Sequence, residues 1–216
     1  ILMTLLQGNP AALVIFGSQL ADKTHQILEK TNIPTINVVG SPFSPAQITI
    51  ETAFFEASHK LTEHLLEQGY KNIGFIGAHM DNRLQRQQLN GWHKAMLSHY
   101  QNSDLVITMP DAASLQLGRY ALNEILRRQP ELDAVICSHE EIALGIMFEC
   151  QRRLLKIPEN IAVACLDGSD NCDQTHPTLT SIRIDYKKMG IETGKLLIGL
   201  LNNNHDESEE SRIVQF

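Results

Sequence analysis

Short runs of branched and small apolar residues alternate along the chain with longer stretches whose apolar positions recur every three or four residues. The runs at 12–17 (ALVIFG), 33–39 (IPTINVV), 72–78 (NIGFIGA), 105–109 (LVITM), 134–137 (AVIC) and 161–166 (IAVACL) have the length and β-branched content of buried strands. The stretches at 20–30, 52–68, 82–99, 113–128, 140–154 and 186–201 carry a helical period, several closed by a breaker such as Gly69 or Pro158. A final strand, RIVQF, follows the solvated segment NNNHDESEES at 202–211. Strand and helix in regular alternation predict the α/β class, with parallel sheets flanked by helices on both faces.

The polar residues sharpen this picture. The runs 134–137 and 161–166 each stop at hydrogen-bonding groups, Ser138, His139 and Glu140 after the first and Asp167 after the second. In parallel sheets ligands sit beyond the carboxyl ends of the strands, because the loops there can carry polar groups that buried strands cannot. Ser138, His139 and Asp167 are therefore expected in one ligand-binding cleft. For His139 the alternative is a place at the start of the following helix, whose Glu140 and Glu141 favour the positive helix end; for Asp167 it is a cap or turn in LDGSD.

Composition excludes several classes. A net charge of -7 argues against this chain itself gripping a phosphate backbone. The four cysteines, Cys137, Cys150, Cys165 and Cys172, form no CxxC pair and lie mostly in apolar patterns, which suits a reducing cytoplasm. No run of about eighteen apolar residues offers a membrane span. The opening ILMTLLQGNP reads as the tail of a helix ended by Gly8 and Pro10, so the chain is expected to lack its first elements.

Motifs exclude more. GFIGA at 74–78 is neither a dinucleotide fingerprint nor a phosphate loop, and no nucleophile elbow is present. His59 and His64, five apart, point off a common helix face, and Asp167, Asp170 and Asp173 lack the spacing and closing Glu of a calcium loop. No metal or cofactor is expected. Without a nucleophile and its base, or a paired acid and base, neither is an enzyme.

Four segments, LTEHLLEQGYKNIGFIGA (61–78), LNGWHKAM (89–96), SHEEIALGIMFECQRRLLKIPENIAVACLDGSD (138–170) and HPTLTSIRIDYKKMGIETGKLLIGLL (176–201), resemble the effector domain of the lactose-repressor family of bacterial transcription regulators. Within that family, FEASHKL and MFECQRRLLKIPENIAV are most similar to the gluconate-utilisation repressors. The resemblance implies a periplasmic-binding-protein-like fold of two lobes, crossed near Gly69, near Ile184 and near 205–211. Lobe one would comprise 1–69 and 184–208, truncated at its start, and lobe two 70–183 and 209–216.

The same resemblance implies an effector, a small sugar or sugar acid such as gluconate, bound between the lobes. The family's cleft acid matches Asp167, and its Asn-Asp pair falls on His139 and Glu140, so that imidazole replaces an amide. Its ligand-binding Arg falls on Gln88, with Arg83 and Arg86 on the same helix able to supply the missing cation. Tyr186 matches the aromatic after a crossing, and Glu56 an acidic position of the lobe-one cleft. The implied protein is a cytoplasmic homodimeric repressor that meets operator DNA through a helix-turn-helix headpiece absent from this chain. A solute-binding receptor of a sugar transport system would share the fold and is the alternative.

Overall fold

The structure, a computed structural model, describes residues 2–17, 20–39, 46, 48–78, 83–202 and 212–215, the last four by backbone alone. The chain divides into two compact units, one formed by Ile1–Ala53 with Asp185–Phe216, the other by Phe54–Ile184.

In the second unit five parallel strands form one sheet. They are β4 (Ile73–Gly77), β5 (Val106–Thr108), β6 (Ala134–Cys137), β7 (Ala162–Cys165) and β8 (Thr180–Ser181), in the order β5-β4-β6-β7-β8. Every residue of β4, β6 and β7 is buried, because the connecting helices cover both faces. Alternation along the strands sends Phe75, Ala134, Ile136, Ala162 and Ala164 to one side, where they pack with Leu61, Leu65, Trp92 and Met96 of α3 (Phe54–Glu67) and α4 (Arg83–Ser98). Ile76, Val135, Cys137, Val163 and Cys165 face the other side, against α5 (Leu115–Arg128) and α6 (Glu140–Arg152). These two helices cross at glycines. A Cβ on Gly118 would collide with the Ile142 carbonyl oxygen, and one on Gly145 with that of Leu115.

The first unit holds a four-stranded parallel sheet. β1 (Leu13–Phe16), β2 (Thr35–Val38), β3 (Ile48–Glu51) and β9 (Arg212–Gln215) lie in that order. Its helices are α1 (Leu2–Gln7), α2 (Asp22–Leu28) and α7 (Tyr186–Leu201).

The expected α/β class and every expected strand and helix are present, with three additions and two corrections. β3, β8 and a 3-10 turn at Asp170–Gln174 are the additions. The first crossing falls between Ala53 and Phe54 and not near Gly69, because the apolar face of α3 packs on α4. The final strand belongs with the first unit, since it pairs with β3 from Ile48↔Arg212 to Glu51↔Gln215, and not with 70–183. The crossing expected near 205–211 lies outside the described residues.

Candidate functional site

Three adjacent strands of the second unit, β4, β6 and β7, deliver their carboxyl ends to one edge of the sheet, and the chemistry collects there. β6 ends at Cys137 paired with Cys165 of β7, so the chain leaves the sheet through Ser138–His139 on one strand and Leu166–Asp167 on its neighbour. Ser138 is fully buried. Its hydroxyl accepts a 3.1 Å hydrogen bond from the Ala78 amide at the end of β4 and lies 2.7 Å from Nδ1 of His139. His139 occupies the N-cap position of α6, yet its ring makes no capping hydrogen bond; it turns to Ser138 instead.

Asp167 is half-buried at the start of a loop whose shape is fixed from several sides. The cap of the following 3-10 turn is Ser169, which accepts from the Asn171 amide, so Asp167 is not that cap. Gly168 donates to the Ile182 carbonyl, and a Cβ on it would collide with Cβ of Ser181, so only glycine passes here. From β6's side Glu140 holds the loop: its carboxylate accepts from the Ser169 amide at 2.6 Å and from the Cys172 thiol at 3.6 Å. Burial pushes the Glu140 pKa up, but hydrogen bonds from the Ser169 side chain and amide, Asn171 and Cys172 outweigh it and hold the carboxyl below its ordinary range.

α4 starts at this same edge, after β4. Arg83 stands exposed at its first residue. Gln88 is fully buried, and among the described residues neither its amide oxygen nor its nitrogen meets a hydrogen-bond partner. Such an orphaned amide inside a protein costs free energy unless a ligand or water completes it. Glu56 lies exposed in the first turn of α3 and so belongs to the second unit, contrary to its expected place in lobe one. Tyr186 opens α7 in the other unit, just after its cap Asp185. The structure thus places Ser138, His139 and Asp167 at adjoining strand ends of one unit's sheet, as expected, and Arg83 and Gln88 on the helix that follows the third strand of that edge; Glu140 ties the Asp167 loop to the start of α6.

No group of three or more His, Cys, Asp or Glu residues among those described could hold a metal ion. Three of the four thiols are chemically quiet. Burial pushes the pKa of Cys137 and Cys165 well above the usual thiol range, and that of Cys150 up to about 11.

Residues 62–215 match the periplasmic binding protein-like domain. A solved PurR family transcriptional regulator from Vibrio parahaemolyticus is 40% identical and superposes with a TM-score of 0.87, over 98% of this chain and 78% of that one. The chain belongs to the lactose-repressor family of periplasmic-binding-protein-like domains. Among its relatives in that family, the HTH-type transcriptional regulator GntR of Escherichia coli is 28% identical over 192 residues, which is 88% of this chain and 56% of the relative. The regulator of the same name from Pseudomonas aeruginosa is 27% identical over 198 residues, 91% of this chain and 57% of the relative. This lactose-repressor-family chain therefore spans little more than half the length of those regulators.

Proposed function

We propose that this chain is the effector-binding and dimerisation region of a bacterial transcriptional repressor, responsive to a small sugar or sugar acid of the gluconate kind. The observation that carries the reading is the polar edge of the second unit's sheet. Asp167 and His139 stand beyond the carboxyl ends of adjacent buried parallel strands, in chemistry that suits a polyhydroxylated ligand, and α4, which follows a third such strand, carries the orphaned Gln88 amide. Asp167 accepts hydroxyl hydrogen bonds, and Arg83 supplies a cation for a ligand carboxylate. Tyr186 and Glu56 enter this reading through the family resemblance alone. Effector binding then biases an attached DNA-binding segment, because a ligand that prefers one conformation shifts the population toward it. With a net charge of -7 the chain itself leaves DNA contact to that segment. The descriptions of its relatives as transcriptional regulators favour this reading over a transport receptor.

Calorimetric titration of gluconate into the parent and Asp167→Ala chains, with thermal melts of both, tests the assignment. Charge-assisted hydrogen bonds are worth roughly 1.5 to 3 kcal/mol each, and ~1.4 kcal/mol is one decade of affinity, so the variant should bind about tenfold to a hundredfold more weakly. Its ligand-free melting temperature should match the parent's. Equal affinity, or a melt several degrees lower without ligand, would make Asp167 a structural residue of the loop. Dimerisation is checked by light scattering, where a monomer at high concentration would count against it.

A further inference from the structure

The Ser138 hydroxyl is a hydrogen-bond problem with one solution. The side chain is fully buried, out of reach of bulk water. Among the described residues its oxygen meets two partners, the Ala78 amide at 3.1 Å and Nδ1 of His139 at 2.7 Å. The amide can only donate, so it takes one lone pair of the oxygen. The hydroxyl proton then needs an acceptor, and the unprotonated Nδ1 is the one at hand. If Nδ1 carried the proton instead, the oxygen would accept twice and its own proton would be stranded in a buried site.

We propose that Ser138 is a positioning residue that holds the His139 ring as its Nε2–H tautomer, so that His139 presents a donor, and not an acceptor, at the sheet edge. The backbone amide of β4 starts a chain of bonds, Ala78 amide to Ser138 hydroxyl to Nδ1, whose outlet is the Nε2 proton. This proton does what an amide donor would do at the same place, on a ring that Ser138 also fixes in orientation. Asp167 on the neighbouring strand end offers only acceptors when ionised. The two strand ends therefore sort a ligand by polarity: an acceptor oxygen toward His139, hydroxyl protons toward Asp167. A polyhydroxy acid carries both. This last step rests on the effector reading proposed above; the tautomer does not.

The test uses the 216-residue chain grown with ¹⁵N-histidine, with the His139 signals among those of nine histidines assigned from their loss in His139→Asn. The parent should show an unprotonated, hydrogen-bonded Nδ1 and a protonated Nε2 as a single species. In Ser138→Ala the Nδ1 signal should move to that of an unbonded ring nitrogen and the Nδ1–H form should appear, while Ser138→Thr keeps the parent pattern. Gluconate titrated into the same samples should bind about tenfold more weakly to Ser138→Ala, a step of ~1.4 kcal/mol, and nearly normally to Ser138→Thr. A parent ring protonated at Nδ1 overturns the proposal, as does a Ser138→Ala spectrum unchanged at both nitrogens. Unchanged gluconate affinity in Ser138→Ala overturns the role in binding. If no variant and not even the parent binds gluconate, the parent spectrum still decides the tautomer, and the effector reading alone fails.

Discussion

Both units are built on a parallel sheet, but among the described residues the second unit's sheet is the more completely covered. In the second unit β4, β6 and β7 are buried throughout, and four helices of thirteen to sixteen residues shield the two faces. In the first unit β2 and β3 are as thoroughly buried, yet β1 alternates between half-buried and exposed positions, with Phe16 68% exposed. α1 buries no residue, and the sixteen residues of α7 bury Met189 and Thr193 only. A parallel sheet draws its stability from cover on both faces, so side chains of the same kind should matter far more in one unit than in the other.

The sharpest way to break this contrast is a pair of aromatic deletions. Trp92 is fully buried against Phe75, with ring centroids 5.9 Å apart. Trp92→Ala should lower the unfolding free energy by about 3–5 kcal/mol, whereas Phe16→Ala should stay within about 0.5 kcal/mol of the parent. Trp92 is the chain's single tryptophan, so urea unfolding must be followed by circular dichroism and not by fluorescence. Similar losses in both variants would mean that Phe16 is as well packed as Trp92.

A pair of glycines gives an effect of opposite sign in the two units. Gly118→Ala drives a methyl group into the α6 backbone and should destabilise by about 1–3 kcal/mol or more. Gly194, inside α7, is open: a methyl group added there would have nothing within 4 Å. The helix gains an alanine without a clash, and Gly194→Ala should stabilise by about 0.5–1 kcal/mol. Thermal melts of the two variants on either side of the parent would sharpen the comparison; two losses would refute the open face of α7.

The smallest expected effect is local. Because the Glu140 carboxyl titrates below its ordinary range in the folded chain, its contribution is present above its unfolded pKa of about 4.3 and is lost as pH falls through the folded value. Hydrogen exchange, corrected for intrinsic rates, should show the amides of Gly168–Cys172 losing protection below about pH 4 while those of β2 and β3 keep theirs. Glu140→Gln should remove that acid step. A step that survives the substitution would assign it to another group.

Much of this is legible in the sequence, and the gaps have physical causes. The strongly apolar strands and the long periodic helices are where expectation and structure agree. β3 escapes the pattern because ITIE alternates isoleucine with Thr49 and Glu51, which looks half-exposed, although all four residues are buried at the centre of the sheet. The unit boundary differs from expectation because an amphipathic pattern tells that α3 has an apolar face and not which sheet it covers. Asp167 and His139 can be found from the rule for strand ends. The burial of Gln88 leaves a signal too: Leu84, Gln88, Trp92 and Met96 recur every four residues, so the glutamine interrupts an otherwise apolar stripe. Glu140 reads as a helix-end charge and as a match to the family's Asn-Asp pair, and neither reading reaches its partners Ser169 and Cys172, at sequence separations of 29 and 32.

The crossing of α5 and α6 has a mechanical consequence. The backbones meet at Gly118 and Gly145, and one turn further along α6 Glu149 is shared by Arg119 of α5 at 3.5 Å and Arg153 of its own helix end at 3.0 Å. Close backbone contact and ion pair together hold the start of α5 against α6. α6 has thirteen residues and begins beside His139, so a tilt imposed there must reappear about 20 Å away, where Arg152 stands in solvent. A reporter dye at that far end would read the sheet edge without touching it.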